Sequence, residues 1–548
     1  MLKIISCVVL AGLAAQAFAA NSPTPNTIGY YENWDVYASP SYPFDGANGI
    51  SNPDLGYKLA RLNTISYAFM EVDSNGVVQF SDTWSDLSSS DQNFCTANSV
   101  NTEICNGANF DPAKTNVHFG NFGAFANSSV PVRLVSIGGA SHEASWQNAM
   151  TYPTSFVNSI VALVNNYKLS GVDIDYEPLG GNNYNSANFV SLITQLRSAL
   201  GKNAVITLST FTSGQSLKNF LSSDQWVEVK DQVNFINIMG YDMHGEFDSP
   251  PVTGLQSALY TGSNTFSDDD AVQTLTGFGI SPAQLILGYP SYGRAVGGVS
   301  SQGIGQPFTT SFQGDLDPSN CVITLGAQDV CSGMVSYNWI LSQSLSPQYI
   351  NVNGAVSGAY ANFGNNFISY DDPNSIKAKA QYTLSNQLGG MMTWALRFDA
   401  PAVNADGTTN PQSLLSTVDS SLGITPRPYT PPTPSKSIVL EIHNTASNAG
   451  GVVVHLYDSV GGAFAFPGTS GGFAANQDTV YCSKAAMASN PKCVASWNLD
   501  NMNFSKGTMT SVDVMAPGAL KPLACNLIDL SKSYNQVMTY NGSNCVTS

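Results

Sequence analysis

Along residues 26–424, short apolar or β-branched runs alternate with longer stretches that could be helical. Eight of the runs predict strands: 27–33, 64–72, 132–137, 171–176, 204–210, 233–240, 284–289 and 390–396. Segments 186–200 and 411–422, between or after them, predict helices. Eight strand–helix alternations are what a closed parallel barrel requires, so the expected fold is α/β, a (β/α)8 TIM barrel. The last two runs stand about 100 residues apart, far too long for a βα connection, and an inserted subdomain is expected between them.

The pattern breaks at 425–437, TPRPYTPPTPSKS, where five prolines fall within thirteen residues. Such a stretch predicts a stiff, extended linker that does not join a packed core. Beyond it, runs at 437–443 and 451–457 and later Gly-rich turns predict a separate β-rich domain over 438–548. At the other end, residues 1–19 read as an export signal. Lys3 supplies the positive start, an apolar stretch runs over about 4–15, and Ala17-Phe18-Ala19 fits the small-x-small cleavage rule. That stretch is too short to span a bilayer, so the expectation is a secreted, extracellular protein with no membrane span.

Composition sharpens this picture. Only 11% of residues are charged, against 43% hydrophobic, a low-charge balance associated with extracellular proteins that meet polar, uncharged ligands. A net charge of −17 and a pI near 4.5 argue against nucleic-acid or anionic-membrane partners. Cys7 leaves with the signal, and the remaining cysteines fall into neighbouring pairs: Cys95 and Cys105, Cys321 and Cys331, Cys482 and Cys493, Cys525 and Cys545. An even number in an exported chain favours disulfides over metal binding, because no CxxC or His-rich cluster is present. Spacing does not fix their connectivity. No metal or organic cofactor is called for, and a monomer is expected.

The densest chemistry lies at 169–178, LSGVDIDYEP. Acidic residues occupy every second position, Asp173, Asp175 and Glu177, with Val172 and Ile174 between them. Strand side chains alternate faces, so the three carboxyls point one way and the apolar residues the other. On a barrel strand the outward face packs on helices, which leaves the interior for the acids. Like charges at this spacing push at least one pKa upward, and the retained proton suits a general acid. A solvated acidic edge and a divalent-metal site are the competing readings. The apolar neighbours oppose the first, and the lack of an oxygen-ligand loop opposes the second.

This run resembles the DGxDxDxE signature of family 18 glycoside hydrolases, with Gly171, Asp173, Asp175 and Glu177 matching and Ser170 in the first acidic position. Other segments are similar to the family's motifs in the right order. They are Gly29-Tyr30-Tyr31, Ser136-Ile137-Gly138-Gly139, Met239-Gly240-Tyr241-Asp242-Met243-His244-Gly245, Leu287-Gly288-Tyr289-Pro290-Ser291-Tyr292-Gly293-Arg294 and Gly389-Gly390-Met391-Met392-Thr393-Trp394. The resemblance covers about 26–424 and is closest to the chitinase branch, which inserts a small α+β domain between strands seven and eight. Here that insertion would span 295–387, including Tyr370-Asp371-Asp372-Pro373.

The resemblance implies hydrolysis of chitin or its oligosaccharides, endo-acting and retaining, in which the sugar's own acetamido oxygen attacks the anomeric carbon. It implies Glu177 as the acid, then the base for water. Asp175 would bind the acetamido N–H, and Asp173 would share a proton with Asp175, helped by Tyr30 and Ser136. Tyr241 would hold the acetamido carbonyl, and Asp242 would accept bonds from the distorted sugar. Trp394 would form the floor beneath the reacting ring, with Arg294, Tyr292 and Met239 among the substrate-binding residues. His244 is expected to be a hydrogen-bonded structural residue. Two departures touch binding: Ala140 and Phe247 stand where the family often carries Trp. An endo-β-N-acetylglucosaminidase acting on N-glycans and a non-catalytic chitin-binding protein are the alternatives. The C-terminal domain would be an accessory module, possible uses including binding of a solid polymer, with Tyr481 and Trp497 as candidate contacts.

Overall fold

The computed structural model describes residues 25–38, 42, 44, 53–87, 120–140, 143–178, 184–262 and 264–430, together with strand segments between 437 and 547. The export signal and the Cys95–Cys105 pairing lie outside the described residues, as do the side chains of the last four cysteines. Cys321 and Cys331 are joined in a disulfide, as their pairing suggested.

Eight parallel strands close into a barrel: β1 (Asn26–Glu32), β2 (Thr64–Val72), β3 (Val132–Gly138), β4 (Gly171–Asp175), β5 (Val205–Thr210), β6 (Phe235–Ile238), β7 (Leu285–Pro290) and β8 (Gly390–Trp394). Each pairs with its sequence neighbour, and β1 pairs with both β2 and β8, which leaves the barrel no free edge. The sixth run, expected over 233–240, forms a strand only over Phe235–Ile238, because the chain turns at Gly240 and Asp242 adopts a left-handed backbone at φ 57°.

Alternation sorts the faces. Val172 and Ile174 on β4 join an apolar cluster with Ile160, Leu163, Phe189 and Ile193 from the flanking helices, while Asp173 and Asp175 face inward. The helix Ser186–Leu200 shows why such segments hold. Phe189, Val190, Ile193 and Leu196 recur on its buried face, and the Asn185 side chain accepts the Asn188 N–H at the start, a cap contributing about 1 kcal/mol. The helix expected over 411–422 begins at Leu414, where Ser413 caps it.

Between β7 and β8 the chain builds a six-stranded antiparallel sheet. Strands Thr310–Ser311, Tyr292–Gly297, Asn366–Tyr370, Ala355–Phe363 and Gln348–Val352 follow in that order, with Met334–Ser336 also pairing to Tyr292–Gly297. Helix Pro373–Ser385 leaves this sheet behind a capping box of Asp372 and Ser375.

Two compact units divide between Pro431 and Pro432. In the first, the start of the proline-rich stretch, expected to stand clear of any packed core, is instead docked through Arg427 and Tyr429. The Arg427 N–H donates to the Ala60 carbonyl at 2.8 Å, and the Tyr429 ring meets Tyr57 edge-on at 4.9 Å. The second contains two four-stranded sheets. One orders Lys492–Asn498, Ser437–Asn444, Tyr534–Tyr540 and Cys545–Thr547; the other orders Asp478–Cys482, Val452–Asp458, Met509–Met515 and Leu523–Asp529. Among the described residues no helix is long and apolar enough to cross a membrane.

Candidate active site

Register places the polar residues of adjacent strands in one layer. Ser136 on β3, Asp173 on β4 and Thr207 on β5 are direct cross-strand partners. Asp173, fully buried, accepts hydrogen bonds from Tyr30 Oη at 2.8 Å, Ser136 Oγ at 2.7 Å, Asn237 Nδ2 at 3.3 Å and Thr207 Oγ1. Tyr30 in turn meets Ser209 and Asn237, each at 3.1 Å. Burial raises the Asp173 pKa, and the four donors pull it back.

Asp175 has a different environment on the same face. It is 4% exposed, and its Oδ1 has no hydrogen-bond partner. Burial, then the charges of Glu177 and Asp173, hold its pKa well above the usual carboxylate range. The two carboxyls of the pair thus differ in kind: Asp173 is held by four donors, whereas burial and the neighbouring carboxylates disfavour charge on Asp175. The strand end is fixed from β3. Gly139 N–H donates to the Asp175 carbonyl at 2.9 Å, and a Cβ on Gly138, at φ 117°, would lie 2.0 Å from that oxygen.

Glu177 lies just past the strand and is half-buried. Burial and the Asp242 charge push its pKa up to about 7. Tyr241 follows β6, and its phenol is raised by burial and then by Asp175, Glu177 and Asp242, so these groups share one electrostatic neighbourhood. Its hydroxyl contacts Met392 Sδ at 3.9 Å. The Asp242 carboxylate accepts from Tyr292 Oη at 2.7 Å and Arg294 Nε at 2.8 Å. Arg294 also reaches Glu246 Oε2 at 3.5 Å and lies over the exposed Phe247 ring at 5.5 Å.

The floor is aromatic. Trp394, at the end of β8, is half-buried, with its ring 5.3 Å from Tyr30 and stacked on Phe69 at 5.4 Å. Trp34, 39% exposed, stands 6.4 Å from Trp394 and extends this surface. Met239 packs with Trp394 and Tyr241 against the apolar cluster of Tyr30, Phe69 and Met392. Of the eleven residues expected at the site, Tyr30, Ser136 and Asp173 lie within barrel strands, Asp175 and Trp394 end theirs, Glu177, Met239, Tyr241 and Asp242 follow just beyond, and Tyr292 and Arg294 begin the strand after β7.

Sequence reasoning missed Thr207, Asn237, Trp34 and Phe69. The first two carried a usable signal, because they are polar positions on the inward phase of otherwise apolar strands. His244 is paired with Asp248 at 2.8 Å. Asp317, Cys321 and Cys331 form the one metal-like cluster among the described residues, but the disulfide consumes both thiolates.

Comparison with known proteins agrees with this fold. The family model for glycosyl hydrolases family 18 matches residues 26–399. Chitinase A1 of Niallia circulans is 26% identical over 444 residues, covering 73% of this chain and 60% of its own, so the match spans less than two thirds of that relative. Endochitinase 1 of Metarhizium robertsii is 24% identical over 435 residues, covering 75% of this chain and 90% of its own. Among solved structures, the Group IV chitinase of Ostrinia furnacalis shares the fold at a TM-score of 0.54 and 23% identity, over 73% of this chain and 99% of that one. An acid-bearing fourth strand inside a closed parallel barrel, matched by the family model over most of the chain, makes this protein a glycoside hydrolase: it belongs to glycosyl hydrolases family 18.

Proposed function

We propose that this chain is a secreted, endo-acting chitinase that cleaves β-1,4-linked N-acetylglucosamine polymers with retention, by substrate assistance. One observation carries the reading: three carboxyls along β4 and its exit occupy three environments. Asp173 is saturated with donors, Asp175 has an unpartnered oxygen and is held well above the usual carboxylate range, and Glu177 is pushed up to about 7 beside Tyr241. Pairs of carboxyls driven apart in this way divide the acid and electrostatic work of glycoside cleavage.

In this mechanism the acetamido oxygen of the bound sugar attacks its own anomeric carbon as the glycosidic C–O bond breaks. Glu177 gives its proton to the leaving oxygen. Asp175, passing the shared proton to Asp173, accepts the acetamido N–H through its unpartnered oxygen and as a carboxylate stabilises the cationic oxazolinium-like ring. The Tyr241 hydroxyl, free of a strong partner, orients the attacking carbonyl, and Asp242 accepts from the distorted sugar. Water then attacks the anomeric carbon, Glu177 takes its proton, and the acetamide is restored. Trp394 supports the sugar's C–H face. Such orientation contributes several kcal/mol of barrier reduction.

The six-stranded sheet after β7 is read as the inserted α+β domain, a wall that deepens the cleft and favours long linear chains over branched glycans. The two C-terminal sheets are read as a separate accessory domain, and the whole as an exported monomer. The relatives named chitinases support the substrate class. A non-catalytic binding protein is disfavoured by the presence of Glu177 with its raised pKa.

The test is hydrolysis of chitin oligomers of defined length, with the fresh products followed by proton NMR. Internal cleavage with β-anomers appearing first is expected. Release of glycans from a glycoprotein, without turnover of chitin oligomers, would replace this reading with the N-glycan endoglycosidase.

A further inference from the structure

Behind Tyr241 and Asp242 runs a short strip, Gln256 to Ala258, that belongs to no strand. Gln256 is completely buried, and its polar groups are committed in four directions. Its Oε1 accepts the Asp242 N–H at 3.3 Å, and its Nε2 donates to the Tyr292 carbonyl at 2.8 Å. Its backbone carbonyl accepts the Met243 N–H at 3.0 Å, and its N–H donates to Ser369 Oγ at 2.9 Å. Ser257 Oγ donates to the Gly240 carbonyl and receives the Lys379 ammonium, which is paired with Asp371 at 2.7 Å. Gly240 leaves no slack, since a Cβ there would lie 2.3 Å from Asp268 Oδ1.

These contacts form a closed circuit. One amide of Gln256 fixes the backbone of Asp242 and also the backbone of Tyr292, whose hydroxyl holds the Asp242 carboxylate. Asp242 is a non-glycine residue with a left-handed backbone, a conformation that persists only where surrounding contacts over-determine it. The far anchors of the strip, Ser369, Asp371 and Lys379, belong to the last strand of the six-stranded sheet and the segment and helix that follow it.

We infer that Gln256 is a positioning residue for Asp242, the link through which the sheet between β7 and β8 sets the geometry of the reacting groups. This rests on the reading that Asp242 serves the reaction. Gln256 touches no substrate; it acts through Asp242 and Tyr292.

The test is a double-mutant cycle on the full chain with a fluorogenic chitobioside, reading kcat, KM and the melting temperature. Gln256→Met preserves side-chain length and volume while removing the amide. Gln256→Asn keeps the amide but is too short to reach both partners, and serves if the first variant folds poorly. Either substitution is expected to lower kcat roughly tenfold in the parent, the scale of a small misplacement of a reacting group, and less than about twofold in an Asp242→Ala background. An equal loss in both backgrounds, or no loss in the parent, overturns the inference while leaving Asp242's role standing. An Asp242→Ala enzyme as fast as the parent removes that role first, and the inference with it.

Discussion

The phenol of Tyr30, on β1, donates a 2.8 Å hydrogen bond across the barrel interior to the carboxylate of Asp173, on β4. Removing this donor leaves a buried carboxylate one partner short, at a cost of about 1–3 kcal/mol. Tyr30→Phe is therefore expected to lower kcat by about tenfold or more, because Asp173 then competes with Asp175 for the shared proton. Initial rates on a chitobioside check this; unchanged kcat would separate the buried layer from the chemistry.

Activity should fall on the alkaline side. The acid form of Glu177 is the competent one, and burial with the Asp242 charge places its pKa at about 7. In the free enzyme kcat/KM is expected to be full well below pH 7 and to decline as pH rises through that value. A profile of kcat/KM against pH measures the limb directly, and a plateau extending past about pH 9 contradicts the assignment.

Stability should follow the same direction for a separate reason. Burial raises Glu177, Asp86 and Asp268 to about 7 and Asp419 to about 8. These folded-state values lie above those of the unfolded chain, so the native state binds more protons in between. Their stabilisation is complete below the unfolded pKa values and is lost as pH rises through the folded ones. The melting temperature is expected to drop between about pH 5 and about pH 8.5; a rise over that interval would refute it.

Ala140 is exposed where related barrels often carry an aromatic platform beyond the cleaved bond. Restoring one should strengthen product-side binding, by about 0.5–1.5 kcal/mol for a stacked ring. Ala140→Trp is expected to raise the dimer-to-trimer ratio released from insoluble chitin. Identical ratios would show that stacking there does not govern processivity.

The barrel was legible because its strands are short apolar runs with a consistent phase. Runs 64–72 and 171–176 coincide with β2 and β4 to within a residue. The acids were legible for the same reason, since Asp173 and Asp175 share one face. Strand six was overdrawn because nothing local marks Asp242 as left-handed; that conformation is imposed by Gln256 and Tyr292, distant in sequence. Trp34 and Phe69 were missed because an isolated aromatic near a strand end reads as core until Trp394 is seen beside it. Thr207 and Asn237 carried a signal as inward-phase polar positions, and register shows its use by pairing Thr207 with Asp173 and Asn237 with Ser209.

The most direct measurement is turnover of a fluorogenic chitobioside by the parent and by Glu177→Gln, with the melting temperature as a control for folding. The substitution keeps the shape of the side chain and removes its proton transfer. A fall in kcat of at least about a hundredfold, in a variant that remains folded, is the expected result. Equal rates would mean that another group delivers the proton and that the carboxylate strand is not the catalytic centre.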